Sequence, residues 1–199
     1  MSAKIALCRK SAIKKRTRIG IKDMQQNLSS QPLPLRAIYP WRSASYWFDQ
    51  EDFDDTPVAL GTDLFVNAFL VRAGDIVDGI QALYSEQHIP LTLPHGNLTG
   101  HQTKIELESG DQWSEISGFY GEWFGGNYVV QLTFCTRQGQ VYGPFGSLNY
   151  VYKSRPFHLV IRPDEKIVAL SGVVSTGDNG KNLHLGALGL ILCKQENEP

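Results

Sequence analysis

Two stretches of this 199-residue chain concentrate groups able to engage a ligand. The first, Phe119-Tyr120-Gly121-Glu122-Trp123-Phe124-Gly125-Gly126, sets aromatic rings among glycines. Rings standing on a surface offer flat apolar faces, and neighbouring glycines leave backbone N–H groups open; the same residues could instead pack inward while the glycines turn the chain. The second, Gly177-Asp178-Asn179-Gly180-Lys181-Asn182-Leu183-His184-Leu185-Gly186, reads as a glycine-rich hairpin. Asp178, Asn179 and His184 supply a carboxylate, an amide and an imidazole there, although Asp178 and Asn179 also suit a tight turn.

Catalytic chemistry finds less support. The five histidines, His88, His95, His101, His158 and His184, contain no i, i+4 pair of the kind that grips zinc. A G-x-S-x-G nucleophile phrase is absent. Cys8, Cys135 and Cys193 fit neither a C-x-x-C nor a Cys/His metal spacing, and three cysteines cannot all pair within one chain. They read as structural thiols in a reducing compartment. Asp49, Glu51, Asp52, Asp54 and Asp55 lack the Asp-x-Asp-x-Asp-Gly order of a calcium loop and read as a solvated acidic loop. The expectation is a binding protein without enzymatic activity, metal or cofactor.

The elements that would carry these stretches are strands. After Tyr39 the chain shows short apolar alternations of period two broken by glycines, with no sustained period of 3.6. Val130, Leu132 and Phe134 alternate with Gln131, Thr133 and Cys135, Ile105 and Leu107 with Lys104, Glu106 and Glu108, and Phe157, Leu159 and Ile161 with His158 and Val160. Each run predicts one buried face. The turns repeat: a polar pair precedes Gly74, Gly110 and Gly139, as in a hairpin closed by a left-handed glycine. Gly79, Gly118 and Gly143 follow inside strands, where a bulge or close backbone approach is expected, and Pro144 must bend or end its strand. Such repetition predicts several similar sheets around one axis.

Residues 1–36 hold nine of the nineteen Lys and Arg against the single acid Asp23, so the remainder of the chain is strongly acidic. With Gln31-Pro32-Leu33-Pro34-Leu35 at its end, this segment reads as a flexible basic extension, ahead of a folded domain over residues 37–199. An organelle transit peptide or a phosphate-attracting tail are the other readings of its charge. No apolar run reaches the roughly 18 residues of a membrane span, and no signal-type apolar stretch opens the chain, which favours the cytoplasm.

Five phrases carry a family resemblance. They are Arg72-Ala73-Gly74-Asp75-Ile76-Val77-Asp78-Gly79-Ile80-Gln81; His95-Gly96 leading to Ile105-Glu106-Leu107-Glu108-Ser109-Gly110-Asp111; Ile116-Ser117-Gly118-Phe119-Tyr120-Gly121; Leu132-Thr133-Phe134 with Tyr142-Gly143-Pro144-Phe145-Gly146; and Lys166-Ile167-Val168-Ala169-Leu170-Ser171-Gly172. In this order the sequence resembles the jacalin-related lectins. Pro40-Trp41 and Phe53-Asp54-Asp55 are similar to that family's opening phrases, with Arg42-Ser43 in place of a glycine pair.

The resemblance implies an all-β fold, the β-prism I, with three four-stranded Greek-key sheets in pseudo-threefold symmetry. It also implies a shallow site for sugar hydroxyls at one end, taking mannose- or galactose-type glycans, and homo-oligomers are common in the family. The implied site joins Phe119, Tyr120, Gly121, Trp123, Gly125 and Gly126 to Asp178, Asn179, Gly180, His184 and Gly186. The family's sugar-binding carboxylate belongs to a Gly-x-x-x-Asp phrase before the last strand. Aligned on Ala187-Leu188-Gly189, Gly186 stands in its place; aligned on Gly180, His184 does. Two functions stay open: a carbohydrate-binding module, or a β-prism that has lost sugar recognition and binds a protein partner.

Overall fold

The computed structural model describes residues 35–39, 49–59, 65–84, 94–176 and 182–195. All of them lie in the second of the two units into which the chain divides, Pro34–Pro199. The period-two runs fold as strands, and these form three four-stranded sheets. In the first, β1 (Leu35–Ile38) and β2 (Asp49–Asp54) flank β11 (Glu165–Thr176) and β12 (Asn182–Lys194), in the order β1-β12-β11-β2. In the second, β5 (His95–Gly96) and β6 (His101–Glu106) flank β3 (Val66–Ala73) and β4 (Val77–Tyr84), in the order β5-β4-β3-β6. In the third, β9 (Val141–Gly146) and β10 (Tyr152–Val160) flank β7 (Trp113–Trp123) and β8 (Gly126–Thr136), in the order β10-β7-β8-β9.

The strand order is the same three times, an inner antiparallel hairpin flanked by an outer pair, and in the second and third sheets the outer pair's connection passes the hairpin's tip. This is the expected three-sheet Greek-key prism. One core of buried residues serves all three sheets, drawing Leu170, Leu188 and Leu190 from the first, Phe69, Val71 and Ile80 from the second, and Ile116, Leu132 and Phe134 from the third. Phe69 lies 5.0 Å from Phe134 and 5.3 Å from Trp113 in tilted ring contacts, and Trp113 Nε1 donates to Val66 O at 3.2 Å. The expected inward positions Ile105, Phe157, Leu159 and Ile161 are buried.

Val130 breaks the alternation. Phe119 pairs with Gln131 and Tyr120 with Val129, so Val130 is the extra residue of a β-bulge. A one-residue slip reverses the faces. Val129 therefore enters the main core, and Val130 joins a satellite cluster with Ile76 and Tyr128.

The glycine turns are not equivalent either. Gly139 closes the β8–β9 hairpin in a left-handed conformation, φ 88°, as expected. Gly110 is left-handed, φ 82°, but joins β6 to β7 across two sheets rather than closing a hairpin. Gly74 lies at a real hairpin yet outside the left-handed region. Pro144 falls in β9, an edge strand, where a missing N–H is tolerated.

Two readings by charge are corrected. Leu35 and Arg36, grouped with the basic extension, belong to β1, and Arg36 makes a two-pronged ion pair with Glu165, Nε to Oε1 at 2.7 Å and Nη2 to Oε2 at 2.5 Å. That pairing holds the buried Glu165 carboxyl below its ordinary range. The acidic run is strand β2 rather than a solvated loop, and Asp55 just after it is buried. His95 Nε2 donates to both Asp55 oxygens, at 3.0 and 3.1 Å, while the His95 ring stacks on Phe53 at 3.7 Å. Asp55 is thus buried beside acids, Glu51, Asp52 and Asp54, that stay exposed on the strand.

Candidate functional site

The β3–β4 and β7–β8 tips and the start of β12 come together at one end of the prism. Trp123 pairs with Gly126 across the β7–β8 tip, leaving the two-residue turn Phe124–Gly125. Both turn residues are left-handed, φ 43° and 82°, as the twist of a tight hairpin favours. A phenyl side chain is poorly suited to that conformation, yet Phe124 presents its ring with 79% of its surface exposed. Beneath it, Trp123 contacts Phe124 edge-on at 4.7 Å and His184, from the start of β12, at 5.5 Å. Tyr128 meets His184 edge-on at 5.2 Å. Ile76, at the β3–β4 tip, packs with Tyr128 and Val130, and Phe119, Trp123 and Val151 pack against that cluster.

The acid at this end is Asp78. Arg72 pairs with Gly79 and Ala73 with Val77, so Asp78 is the extra residue of a bulge on β4. Its Oδ1 lies 3.1 Å from His184 Nδ1, outside hydrogen-bond geometry, and both side chains are largely buried. Its Oδ2 occupies a recess between Gly74 and Gly100: a Cβ on Gly100 would come within 2.3 Å of it, and one on Gly74 within 3.5 Å. The exposed Asp75 stands at the rim, where its carbonyl accepts from Ser147 N at 3.0 Å. Trp123 Nε1 is buried with no hydrogen-bond partner among the described residues. Burial raises the Tyr128 phenol, and the Ser175 hydroxyl offsets part of that rise.

The pseudo-symmetry shows what became of the expected carboxylate. The second strand of each inner hairpin has a bulge near its tip: Asp78 on β4, Val130 on β8 and Gly186 on β12, the last lying between the pairs Val173–Ala187 and Val174–Leu185. Bulges re-aim single side chains. Only the bulge on β4 carries an acid, and Gly74-Asp75-Ile76-Val77-Asp78 keeps the Gly-x-x-x-Asp spacing that is missing before β12.

Of the residues named from sequence, Trp123, Gly125, Gly126 and His184 come together at this end. Phe119 is half-buried in the satellite cluster. Tyr120 is corrected to the main core, 3% exposed and 4.5 Å from Phe157, with burial raising its phenol strongly. Gly121 is buried under Val151, and Gly186 is buried in β12. Asp178, Asn179 and Gly180 lie outside the described residues. Asp78 and Phe124, not among the site residues named from sequence, also stand at this end, and the Gly-x-x-x-Asp spacing at Gly74–Asp78 is the signal that marks the first. Among the described residues no group of three or more His, Cys, Asp or Glu side chains is placed to hold a metal ion, and no helix is long and apolar enough to cross a membrane.

Solved structures share this fold. A mannose-binding lectin from champedak is 21% identical, with a TM-score of 0.59 over 83% of this chain and 99% of that one. A mannose-specific jacalin-related lectin from Morus nigra, solved with mannose, is 20% identical, with a TM-score of 0.60 over 83% of this chain and 97% of that one. A mannose-binding jacalin-related lectin from Ananas comosus is 24% identical, with a TM-score of 0.57 over 80% of this chain and 98% of that one. No curated protein matches the chain. The family model for the jacalin-like lectin domain matches residues 48–185, which span most of the strands described above and all three hairpin tips, and so the chain belongs to the jacalin-like lectin domain family.

Proposed function

We propose that this protein is a non-enzymatic carbohydrate-binding module whose sugar site is centred on the β3–β4 tip. The observation that carries the reading is the Asp78 carboxylate, delivered by a bulge into a recess walled by Gly74 and Gly100, with Asp75 at the rim. A carboxylate there accepts hydrogen bonds from a pair of sugar hydroxyls, and the glycines let the ring approach the backbone. His184 packs beside Asp78. Mannose-type sugars are the ligands of choice, since lectins of the same fold are described as binding mannose.

Charge-assisted hydrogen bonds contribute about 1.5–3 kcal/mol each, against roughly 4 kcal/mol for a whole millimolar complex. Loss of the Asp78 charge should therefore weaken binding by about 10-fold or more. Calorimetric titration with methyl α-mannoside, on the native chain and on Asp78→Asn and Asp75→Asn, tests this, with circular dichroism to confirm that each variant folds. Absence of binding at about 10 mM sugar, together with a blank glycan array, sinks the carbohydrate reading.

Gly186 favours a second reading. The β12 bulge carries no side chain where the family resemblance places an acid, as in a prism turned over to binding a protein partner. A blank array together with a specific protein partner at the hairpin-tip end would support it.

A further inference from the structure

The bulge near the third hairpin tip carries valine in place of an acid, and exposed aromatic rings stand around that tip. The connection between β9 and β10 passes over it and bears Tyr150, 80% exposed; Tyr152, at the start of β10, is 68% exposed. Between them Val151 is held against the satellite cluster and fills the space above Gly121. The anchored valine fixes the segment from which both tyrosines stand out. Tyr152 pairs with Glu122, next to Trp123, and the neighbouring Lys153 closes an ion pair to Glu122 at 3.0 Å. Tyr150, like Phe124, has a left-handed backbone, φ 60°.

This aromatic edge is continuous with the Asp78 recess. Ser147 N donates to Asp75 O, so the β9–β10 connection leaves from the rim of the recess. Tyr150 follows three residues later, within about 11 Å of Ser147 even if the chain were fully extended. The turn tightens that span, because Asn149 N donates to Ser147 Oγ at 2.8 Å and Val151 N to Leu148 O at 3.4 Å. The rings therefore stand a short connection away from the rim of the recess.

We propose that Tyr150 and Tyr152, with Phe124, form a stacking subsite, so that this end of the prism takes an oligosaccharide in preference to a single sugar. The inference rests on the carbohydrate reading and deepens it. Flat aromatic faces suit the apolar face of a pyranose, and the phenolic hydroxyls can reach water or sugar hydroxyls at the ring edge.

The test is titration of the full chain with methyl α-mannoside and with mannotriose, repeated on Tyr150→Ala/Tyr152→Ala and on Tyr150→Phe/Tyr152→Phe. Stacking of about two- to tenfold per ring gives the trisaccharide an advantage of roughly tenfold. The alanine pair should remove that advantage and leave monosaccharide affinity unchanged, while the phenylalanine pair keeps it. Both tyrosines are exposed, so the variants should melt with the native chain. Equal affinity for the two sugars overturns the inference while leaving the Asp78 site standing, and so does an advantage that survives in the alanine pair. Absence of any sugar binding overturns both. Binding to phosphatidylserine vesicles that is lost in the alanine pair, with sugar affinities unaltered, would assign the rings to a lipid surface and also overturns the inference.

Discussion

Replacing Arg36 by alanine in the full chain tests whether this residue belongs to the prism. Its guanidinium makes two contacts with Glu165, and about a third of its side chain is exposed against 6% for the carboxylate. Two charge-assisted contacts at full strength would contribute about 3–6 kcal/mol, but solvent screening of a partly exposed partner removes much of this. Glu165 also keeps the Arg162 N–H at 3.0 Å after the substitution. A loss of about 2 kcal/mol follows. At about 2–4 °C per kcal/mol for a domain of this size, the midpoint drops by about 4–8 °C.

The pH dependence makes the test specific. The folded-state pKa of Glu165 is depressed, first through its hydrogen bond to Arg36, so its contribution is fully present above the ordinary value of 4.5 and fades as pH falls through the folded value. Urea unfolding, which leaves ion pairs unscreened, should show the native chain well ahead of Arg36→Ala at about pH 7 and the gap narrowing towards about pH 3. An unchanged midpoint at neutral pH, or a gap of constant size across that range, would refute the reasoning and return Arg36 to the extension.

Phe124→Gly should separate stability from binding: relief of the left-handed backbone raises stability by about 1 kcal/mol, while mannotriose affinity falls by about two- to tenfold, read by thermal melting and calorimetry on the same sample. Gly118→Ala and Gly186→Ala form a contrasting pair. A Cβ at Gly118 would come within 2.0 Å of Gln131 O, whereas one at Gly186 finds nothing nearer than Val173 O at 3.3 Å. The first should lose about 3 kcal/mol or more and the second under about 1 kcal/mol, measured by urea unfolding.

Strand existence, the three-sheet architecture and most of the inward faces were legible, because period-two burial is written directly in residue type. The bulges were not. An extra residue leaves composition untouched and reverses the faces beyond it, which is why alternation groups Val130 with Leu132 and Phe134 and why alternation alone does not mark Asp78. Period two carried on from Ile116 through Gly118 divides the aromatic run, sending Tyr120 to the core and Phe119 to the satellite cluster, so the two rings do not share one platform. Charge misled where pairing partners were distant, since Arg36 and Glu165 are 129 positions apart. His184 and Asp78 are each visible in sequence, but only the packing of β12 against β4 brings them together.

The first sheet differs from the others in being assembled from both ends of the domain, with β1 and β2 flanking strands that arrive last. The second and third sheets each come from a continuous stretch of chain and can close as it emerges from the ribosome. β1 and β2 must wait through the synthesis of both sheets before β11 and β12 exist to receive them, and long-range pairing of this kind is slow. A waiting strand is an open template for other chains. The acids of β2, Asp49, Glu51, Asp52 and Asp54, give that strand a charge that repels copies of itself. Like charges along an edge strand disfavour that pairing between copies until β11 is made.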